Sequence, residues 1–233
     1  MSLDPQSLPR RSPIYRHLQS LGANFEAIDD QACAMDYGDP DGEAIQARNM
    51  AIADACALPR WGLKGWNTMA WLRDHGCSVG EETNVAFRQS DGSLIAALAW
   101  GEALILGTLG GAGISQRLIG EYTLVDGIGT YPIPRPSTNF WFVVSGQHAP
   151  TMWSKLCAID LRPKHFPDLA IAQTSVARQN SIIIRADIGE TPAYHVLSDW
   201  SAAGYMWRSI LDAMEEFGGR HVGLTALRRL QGH

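Results

Sequence analysis

The chain has 233 residues, of which 45% are apolar and only 18% are charged, whereas roughly 25% charged residues is usual for soluble domains. This length suffices to bury a core, as one large domain or two small ones. The net charge of −5 leaves no basic face that could neutralise phosphates, which argues against nucleic acid as a partner.

The sequence predicts neither a membrane span nor a secretory signal. No apolar run approaches the ~18–20 residues that a spanning helix needs. The first eleven residues contain no apolar core segment and no small-residue cleavage site. We therefore expect a cytoplasmic protein without membrane contact and without disulfides.

The predicted elements alternate between helices and strands. Residues 1–11, with two prolines and the pair Arg10-Arg11, predict a flexible N-terminal arm. Beyond it, apolar periodicity, capping residues and terminating glycines predict helices over residues 13–21, 43–53, 68–75, 114–122, 150–158, 201–217 and 225–230. Apolar runs bounded by turn residues predict strands over residues 60–66, 84–88, 93–99, 102–106, 140–144, 170–177, 181–186 and 194–197. A β-β-α rhythm that occurs twice predicts an α+β fold of two ferredoxin-like halves.

Two segments match part of a known functional motif. The glycines around Gly111-Ala-Gly113 lie between a strand and a helix, but Gln116 replaces the third glycine of a dinucleotide fingerprint. Ser145 follows a strand, yet Val143 stands where a nucleophile elbow requires glycine. We therefore interpret the glycine cluster as a flexible turn and Ser145 as a turn or capping residue.

Histidines, cysteines and aspartates give no catalytic or metal-binding pattern. The seven histidines are scattered, and none pairs with a carboxylate in a way that indicates a tuned base. The four cysteines, at positions 33, 56, 77 and 157, lack metal-ligand spacing, so we predict four ordinary buried thiols. The aspartates between Asp29 and Asp41 fit turn capping better than acid–base catalysis. The motifs alone predict no catalytic residue and no metal.

Several segments follow a common pattern in their order and spacing. The N-terminal ones are Ser12-Pro-Ile-Tyr-Arg-His-Leu, Gly22-Ala-Asn-Phe, Tyr37-Gly-Asp39 and Ala47-Arg-Asn-Met-Ala-Ile-Ala-Asp54. Together they resemble the opening of the aminomethyltransferase family, the T-protein of glycine cleavage. Three further segments are Leu58-Pro-Arg-Trp-Gly-Leu-Lys-Gly65, Lys155-Leu-Cys-Ala-Ile-Asp-Leu161 and Trp207-Arg-Ser-Ile-Leu-Asp-Ala-Met. These resemble the gamma subunits of heterotetrameric sarcosine oxidase and of N-methylglutamate dehydrogenase.

The chain departs from the catalytic branch of this family at its acidic residues. The family's Gly-Gly-hydrophobic-hydrophobic-Asp-Asp segment, which the resemblance associates with tetrahydrofolate, corresponds to Asp91-Gly-Ser-Leu-Ile-Ala-Ala-Leu. Ala96 and Ala97 stand where the two acids would be, and a methyl group cannot accept a proton. The Tyr-Thr-Gly-Glu loop corresponds to Asp187-Ile-Gly-Glu190 without its tyrosine. Asp187 and Glu190 are therefore cofactor-binding candidates only if folate binds, and no catalytic residue is expected.

The resemblance covers most of residues 12–230 and implies the domain organisation. We expect a single aminomethyltransferase-like domain over residues 12–233, with the folate-binding-domain fold and two sub-lobes divided near residues 107–138. The sequence stops after Gly223-Leu-Thr-Ala-Leu-Arg-Arg-Leu-Gln231, which corresponds to the last helix of the family's first domain. The C-terminal barrel domain of full-length aminomethyltransferases is therefore expected to be missing.

The resemblance also implies a function within a larger assembly. It implies a non-catalytic gamma subunit of an oxidoreductase complex that oxidatively demethylates a secondary N-methyl amine, either sarcosine or N-methylglutamate. The alpha, beta and delta subunits would be its partners, and it would pack against the folate-binding region of alpha. FAD, FMN, NAD and tetrahydrofolate are then expected on partner subunits, with no cofactor on this chain. We expect a Trp-rich, proline-flanked surface, including parts of residues 107–138, to contact those partners.

A stand-alone folate-binding, aminomethyltransferase-like enzyme with a rearranged site is the alternative. Asp187 and Glu190 would then supply the carboxylates. Trp61, Trp66 or Trp141 would stack on the pterin, although core or interface packing is the more common role of a tryptophan. A purely scaffolding role in some other assembly is a third interpretation.

Overall fold

The computed structural model of the protein describes residues 3–111 and 113–232. Its strands in chain order are β1 Arg10–Arg11, β2 Asn24–Ile28, β3 Gln31–Asp36, β4 Ala51–Asp54, β5 Arg60–Lys64, β6 Val85–Arg88, β7 Leu94–Ala99, β8 Glu102–Leu106, β9 Tyr131–Ile133, β10 Asn139–Ser145, β11 Ile171–Val176, β12 Gln179–Arg185, β13 Ala193–Asp199 and β14 Arg220–His221. Its α-helices are α1 Tyr15–Ser20, α2 Pro40–Asn49, α3 Thr68–Asp74, α4 Ile114–Glu121, α5 Arg135–Thr138, α6 Ala149–Met152, α7 Ala203–Met214 and α8 Leu224–Leu230. The prediction of mixed helical and strand structure is confirmed.

A six-stranded sheet with the order β11-β12-β13-β10-β4-β14 contains the longest strands. Its neighbours pair antiparallel, except that β14 runs parallel to β4. Successive side chains of a strand point to opposite faces. In β10, Phe140 and Phe142 enter one apolar core, whereas Trp141 and Val143 enter another. Both faces of the sheet are therefore buried, which explains the unbroken apolar run of β10.

A second sheet has five antiparallel strands in the order β6-β7-β8-β5-β9. Ala96 and Leu104 face the core that also contains Trp141 of the six-stranded sheet. Ile95 and Ile105 face a third core, to which helices α3 and α4 contribute. The five-stranded sheet is therefore covered on both faces, by the larger sheet and by helices.

The N-terminal residues contact a three-stranded sheet with the order β1-β3-β2. Strand β1 runs parallel to β3, with Arg10 opposite Gln31 and Arg11 opposite Ala32. The Leu3 N–H donates to the Phe25 carbonyl at 2.9 Å. These contacts place residues 3–11 against the rest of the chain. The flexibility of the arm and the division near residues 107–138 stay predictions.

Two predicted helices differ from the structure. The prediction of a helix over residues 43–53 is wrong in its second half, because α2 ends at Asn49 and residues 51–54 form β4. Buried β4 pairs with both β10 and β14, so tertiary pairing outweighs the helical propensity of its alanines. The helix over residues 150–158 is shorter than predicted, because α6 ends at Met152 and a 3-10 turn follows.

Candidate functional site

The two alanines that correspond to the family's acidic pair lie in β7. Ala96 and Ala97 are 0% and 1% exposed, and Ala96 lies between Ala86 and Leu104 of the neighbouring strands. An unpaired carboxylate among such apolar neighbours would be costly to bury. The side chains at these two positions are buried methyl groups and supply no carboxylate.

Asp187 and Glu190, the two candidate folate ligands, lie in the short connection between β12 and β13. The Asp187 carboxylate accepts hydrogen bonds from Arg185, at 2.9 Å from Nε and at 2.6 Å from Nη2. These hydrogen bonds raise the pKa of the Arg185 guanidinium. Glu190 is exposed. The structure brings both residues into one connection, where Arg185 already engages both oxygens of the Asp187 carboxylate.

The three tryptophans considered as pterin-stacking residues have different surroundings. Trp61 is 7% exposed and packs edge-on against Trp71. Trp141 is 1% exposed, and its Nε1 donates to His195 Nδ1 at 3.0 Å. Trp66 is 68% exposed. Trp61 and Trp141 are therefore core residues, and Trp66 is accessible to a ligand or a partner.

A buried polar cluster that sequence reasoning missed lies just after β4. The Asp54 carboxyl accepts a hydrogen bond from the Cys56 N–H at 3.1 Å, and Asp54 and Arg60 are both buried. Burial raises the pKa of Asp54 and lowers the pKa of Arg60, because it disfavours the charged form of each group. The available sequence signal was the position of Asp54 at the end of a family-like segment, which says nothing about burial.

The Arg60 side chain connects two segments that are distant in sequence. Its Nη1 donates to the Cys56 carbonyl at 2.6 Å, and its Nη2 donates to the carbonyls of Pro136 at 3.1 Å and Asn139 at 2.6 Å. Such charge-assisted hydrogen bonds are stronger than neutral ones. Arg60 therefore holds α5 and the start of β10 against the residues that follow β4.

One end of the five-stranded sheet carries exposed apolar side chains, which we name the aromatic edge. Its members, each more than half exposed, are Trp66, Trp100, Leu124, Val125 and Tyr131. Strand register brings the aromatic members together, because Lys64 in β5 pairs with Glu102 in β8 and with Tyr131 in β9. The Gly65 N–H donates to the Gly101 carbonyl at 2.8 Å, which continues this pairing toward Trp66 and Trp100.

The loop before β9 is held against Trp66. Asn67 Nδ2 donates to the Ile128 carbonyl at 2.9 Å, and the Asn67 N–H donates to the Gly129 carbonyl at 2.9 Å. A Cβ atom on Gly129 would overlap the Trp66 indole, so glycine permits this close approach. These contacts hold Ile128 and Gly129, near the end of the loop that carries Leu124 and Val125, against the segment of Trp66.

The charged groups next to the aromatic edge are paired with one another. Lys64 Nζ lies 3.0 Å from Glu102 Oε2, and Arg135 Nη2 lies 2.7 Å from Glu102 Oε1. The surface therefore combines exposed aromatic rings with two cations that share one carboxylate. Contiguous exposed apolar groups of this kind are typical of contacts between proteins.

The side chains that could ligate a metal lie apart from one another. Within residues 3–111 and 113–232, no group of three or more His, Cys, Asp and Glu side chains is arranged to hold a metal ion. Over the same ranges, no helix combines the length and apolar character that a bilayer crossing demands. All four cysteines are buried, as predicted.

The fold is that of aminomethyltransferase-type proteins. The chain superimposes on glycine cleavage system aminomethyltransferase T from Bartonella henselae with a TM-score of 0.72 and 14% identity, over 95% of this chain and 62% of that one. It also superimposes on a chain of heterotetrameric sarcosine oxidase from Corynebacterium sp. U-96 with a TM-score of 0.61 and 18% identity, over 89% of this chain and 96% of that one. At these identities the likeness establishes the fold.

The chain spans less than two thirds of the aminomethyltransferase, but it is matched to nearly the whole length of the sarcosine oxidase chain. No protein-family model and no curated protein sequence matches it. The shared architecture agrees with the aminomethyltransferase-like fold that the sequence resemblance implies, whereas the two ferredoxin-like halves stay a prediction.

Proposed function

We propose that this chain is the gamma subunit of a sarcosine-oxidase-like complex that oxidatively demethylates a secondary N-methyl amine. The carrying observation is the structural match that covers 96% of a chain of heterotetrameric sarcosine oxidase. The order and spacing of the gamma-like motifs between Leu58 and Met214 support it. The amine is sarcosine or N-methylglutamate, and the complex is cytoplasmic.

In this proposal the subunit contributes contacts and no catalytic group. The buried methyl groups of Ala96 and Ala97 and the engaged carboxylate of Asp187 support this assignment. FAD, FMN and NAD belong to the larger alpha and beta subunits, and tetrahydrofolate belongs to a partner subunit. The domain corresponds to a folate-binding domain of two ferredoxin-like halves.

The aromatic edge supplies the contact with alpha, at its folate-binding region. Trp and Tyr are enriched in interfaces because a rigid aromatic side chain buries a large area at low entropic cost. Trp66 and Trp100 are 68% and 71% exposed in the chain alone, so a partner that covers them gains most of their burial energy. Leu124 and Val125 extend the surface into the region 107–138, where the sequence predicts partner contacts.

Reconstitution tests this function directly. The chain is co-expressed with the alpha, beta and delta subunits of such a complex, and the purified assembly is assayed for oxidation of sarcosine and of N-methylglutamate. We expect a stable complex whose amine oxidation falls when this chain is omitted. The proposal would be overturned if this chain stays monomeric in the presence of those subunits and amine oxidation is unchanged when the chain is omitted.

The stand-alone aminomethyltransferase-like enzyme is the second candidate, and the TM-score of 0.72 to an aminomethyltransferase favours it. Calorimetric titration with tetrahydrofolate separates the two. The subunit proposal expects no saturable binding to the isolated chain below millimolar concentrations. Micromolar binding that Glu190→Gln weakens would favour the enzyme.

A further inference from the structure

A separate cleft of about 470 Å³ lies between strand β1 and helix α5. Arg10, Arg11 and Gln31 line one side, Pro136 lines the other, and Cys56 and Trp200 also contribute. No member of the aromatic edge lines it. Its volume lies within the range of about 300–1,000 Å³ that is common for small-molecule sites.

A buried cation holds one part of the cleft's lining in place. Cys56 and Pro136 line the cleft, and their carbonyls accept from the Arg60 guanidinium at 2.6 Å and 3.1 Å. Arg60 itself is 1% exposed. Burying a guanidinium is costly unless its hydrogen bonds are made. Arg60 therefore connects the Cys56 and Pro136 parts of the lining through hydrogen bonds that do not depend on a bound ligand.

The pairing of β1 with β3 positions the two arginines. Arg10 lies opposite Gln31 and Arg11 opposite Ala32, so the charged strand forms one rim of the cleft. Arg10 Nε lies 3.5 Å from Asp30 Oδ2, an exposed pair that contributes little to stability.

Arg11 has a different environment. Its Nη1 donates to the Gln6 carbonyl at 3.4 Å, and its guanidinium carbon lies 5.2 Å from the centre of the Tyr15 ring. Among the residues the structure describes, no carboxylate lies within ion-pair distance of Arg11. This rim guanidinium therefore carries a positive charge that no carboxylate of the described residues compensates, and its hydrogen bond to the Gln6 carbonyl is long.

We propose that this cleft binds a small carboxylate that carries an apolar body. A guanidinium offers a planar fork of donors that matches a carboxylate with two parallel hydrogen bonds. Trp200 and Pro136 supply apolar surface for the rest of the molecule. Arg11 is the principal anion-binding group and Arg10 the second. This inference does not depend on the subunit proposal.

Benzoate and its neutral analogue benzamide test the proposal by isothermal titration calorimetry on the full chain. We expect saturable benzoate binding that weakens as salt is raised, and benzamide binding at least about tenfold weaker, as for the loss of a charge-assisted pair. Arg11→Gln should weaken benzoate binding by about tenfold. Arg208→Gln, on the exposed side of α7, should leave it unchanged.

Two further measurements keep the test decisive. Arg10→Gln provides a second rim variant, and far-UV circular dichroism together with the unfolding midpoint verifies that each variant is folded. Acetate and inorganic phosphate should bind more weakly than benzoate, since neither carries an apolar body. Absence of benzoate binding to the intact chain, equal affinity in folded Arg11→Gln, or tighter binding of phosphate than of benzoate would each overturn the proposal.

Discussion

The indole Nε1 of Trp141 donates a hydrogen bond of 3.0 Å to Nδ1 of His195, and both side chains are buried. Because an indole N–H can only donate, the neutral imidazole carries its proton on Nε2. Burial, and to a lesser extent the charge of Arg88, lowers the pKa of His195 to about 4. Protonation of Nδ1 would break the bond to Trp141 and place a charge between the sheets.

This relationship predicts that the free energy of unfolding falls in mild acid. In the unfolded chain His195 binds a proton near the ordinary histidine pKa of 6.5, whereas in the folded chain its pKa is about 4. Between these values the unfolded state holds more protons, so stability decreases as pH falls and is level above about pH 7. Because of His195, the free energy of unfolding measured with urea should be about 2 kcal/mol lower at about pH 5 than at about pH 7.

His195→Gln is the matched variant, because its amide oxygen can still accept from the Trp141 indole. The variant lacks the titrating group, so its stability should change less between the two pH values than that of the parent. An equal pH dependence in variant and parent would show that His195 is not the group responsible.

Asp54 predicts a pH dependence of opposite sign. Burial raises its pKa above the ordinary aspartate value of 3.8, so the folded state holds the proton more tightly than the unfolded state. The tighter binding of this proton stabilises the folded state fully below the pKa that Asp54 has in the unfolded chain. The stabilisation is lost as pH rises through the pKa that Asp54 has in the folded chain. Asp54→Asn should therefore gain stability relative to the parent as pH rises, as measured by urea unfolding at several pH values.

Asp212→Asn is the control for that series, since Asp212 is an exposed carboxylate on α7. As a substitution on the exposed surface, it should keep the free energy of unfolding within about 0.5 kcal/mol of the parent's. A constant difference between Asp54→Asn and the parent across the acidic range would contradict the buried-carboxyl interpretation.

Arg60 predicts a large loss of stability for a substitution that preserves charge. Lysine lacks the planar fork, so Arg60→Lys cannot reach the carbonyls of Cys56, Pro136 and Asn139 together. Leaving buried carbonyls and a buried cation poorly bonded should lower the free energy of unfolding by about 2–4 kcal/mol. Denaturant titration measures this, with exposed Arg208→Lys expected within about 0.5 kcal/mol of the parent. Equal losses of stability in Arg60→Lys and Arg208→Lys would contradict a stabilising role for the Arg60 hydrogen bonds.

The elements with a strong local signal were predictable, and those fixed by distant contacts were not. Strand β10 follows from its apolar run, and α4 matches its predicted start at Ile114. The alanines of β4 carry a helical signal, and only pairing with β10 makes them a strand. In the turn between β2 and β3, Asp29 has a φ of 53°, a conformation that hairpin turns usually assign to glycine or asparagine. Because this turn contains no glycine, the sequence gives no clear signal of a hairpin here.

The candidate site shows the same division. The sequence itself shows the eight tryptophans and the alanines at positions 96 and 97. It does not reveal that Trp61 is buried and Trp66 exposed, because both lie in one short segment. Their burial depends on how that segment pairs with β8 and β9. The cleft is unpredictable for a related reason, since its lining comes from segments that are distant in sequence, two of which are connected by the Arg60 hydrogen bonds.

The aromatic edge predicts a loss of assembly without a loss of folding. Replacing Trp66 and Trp100 by serine removes two side chains that are 68% and 71% exposed, so the unfolding midpoint of the isolated chain should barely change. Binding to the large subunits, measured by co-purification and biolayer interferometry, should weaken at least about tenfold, because tryptophans at interface centres commonly contribute about 2 kcal/mol or more. Ile45→Ser is the matched control, because Ile45 is 69% exposed but lies on α2. Retained assembly in the double variant, or an equal loss in Ile45→Ser, would remove the aromatic edge as the contact surface.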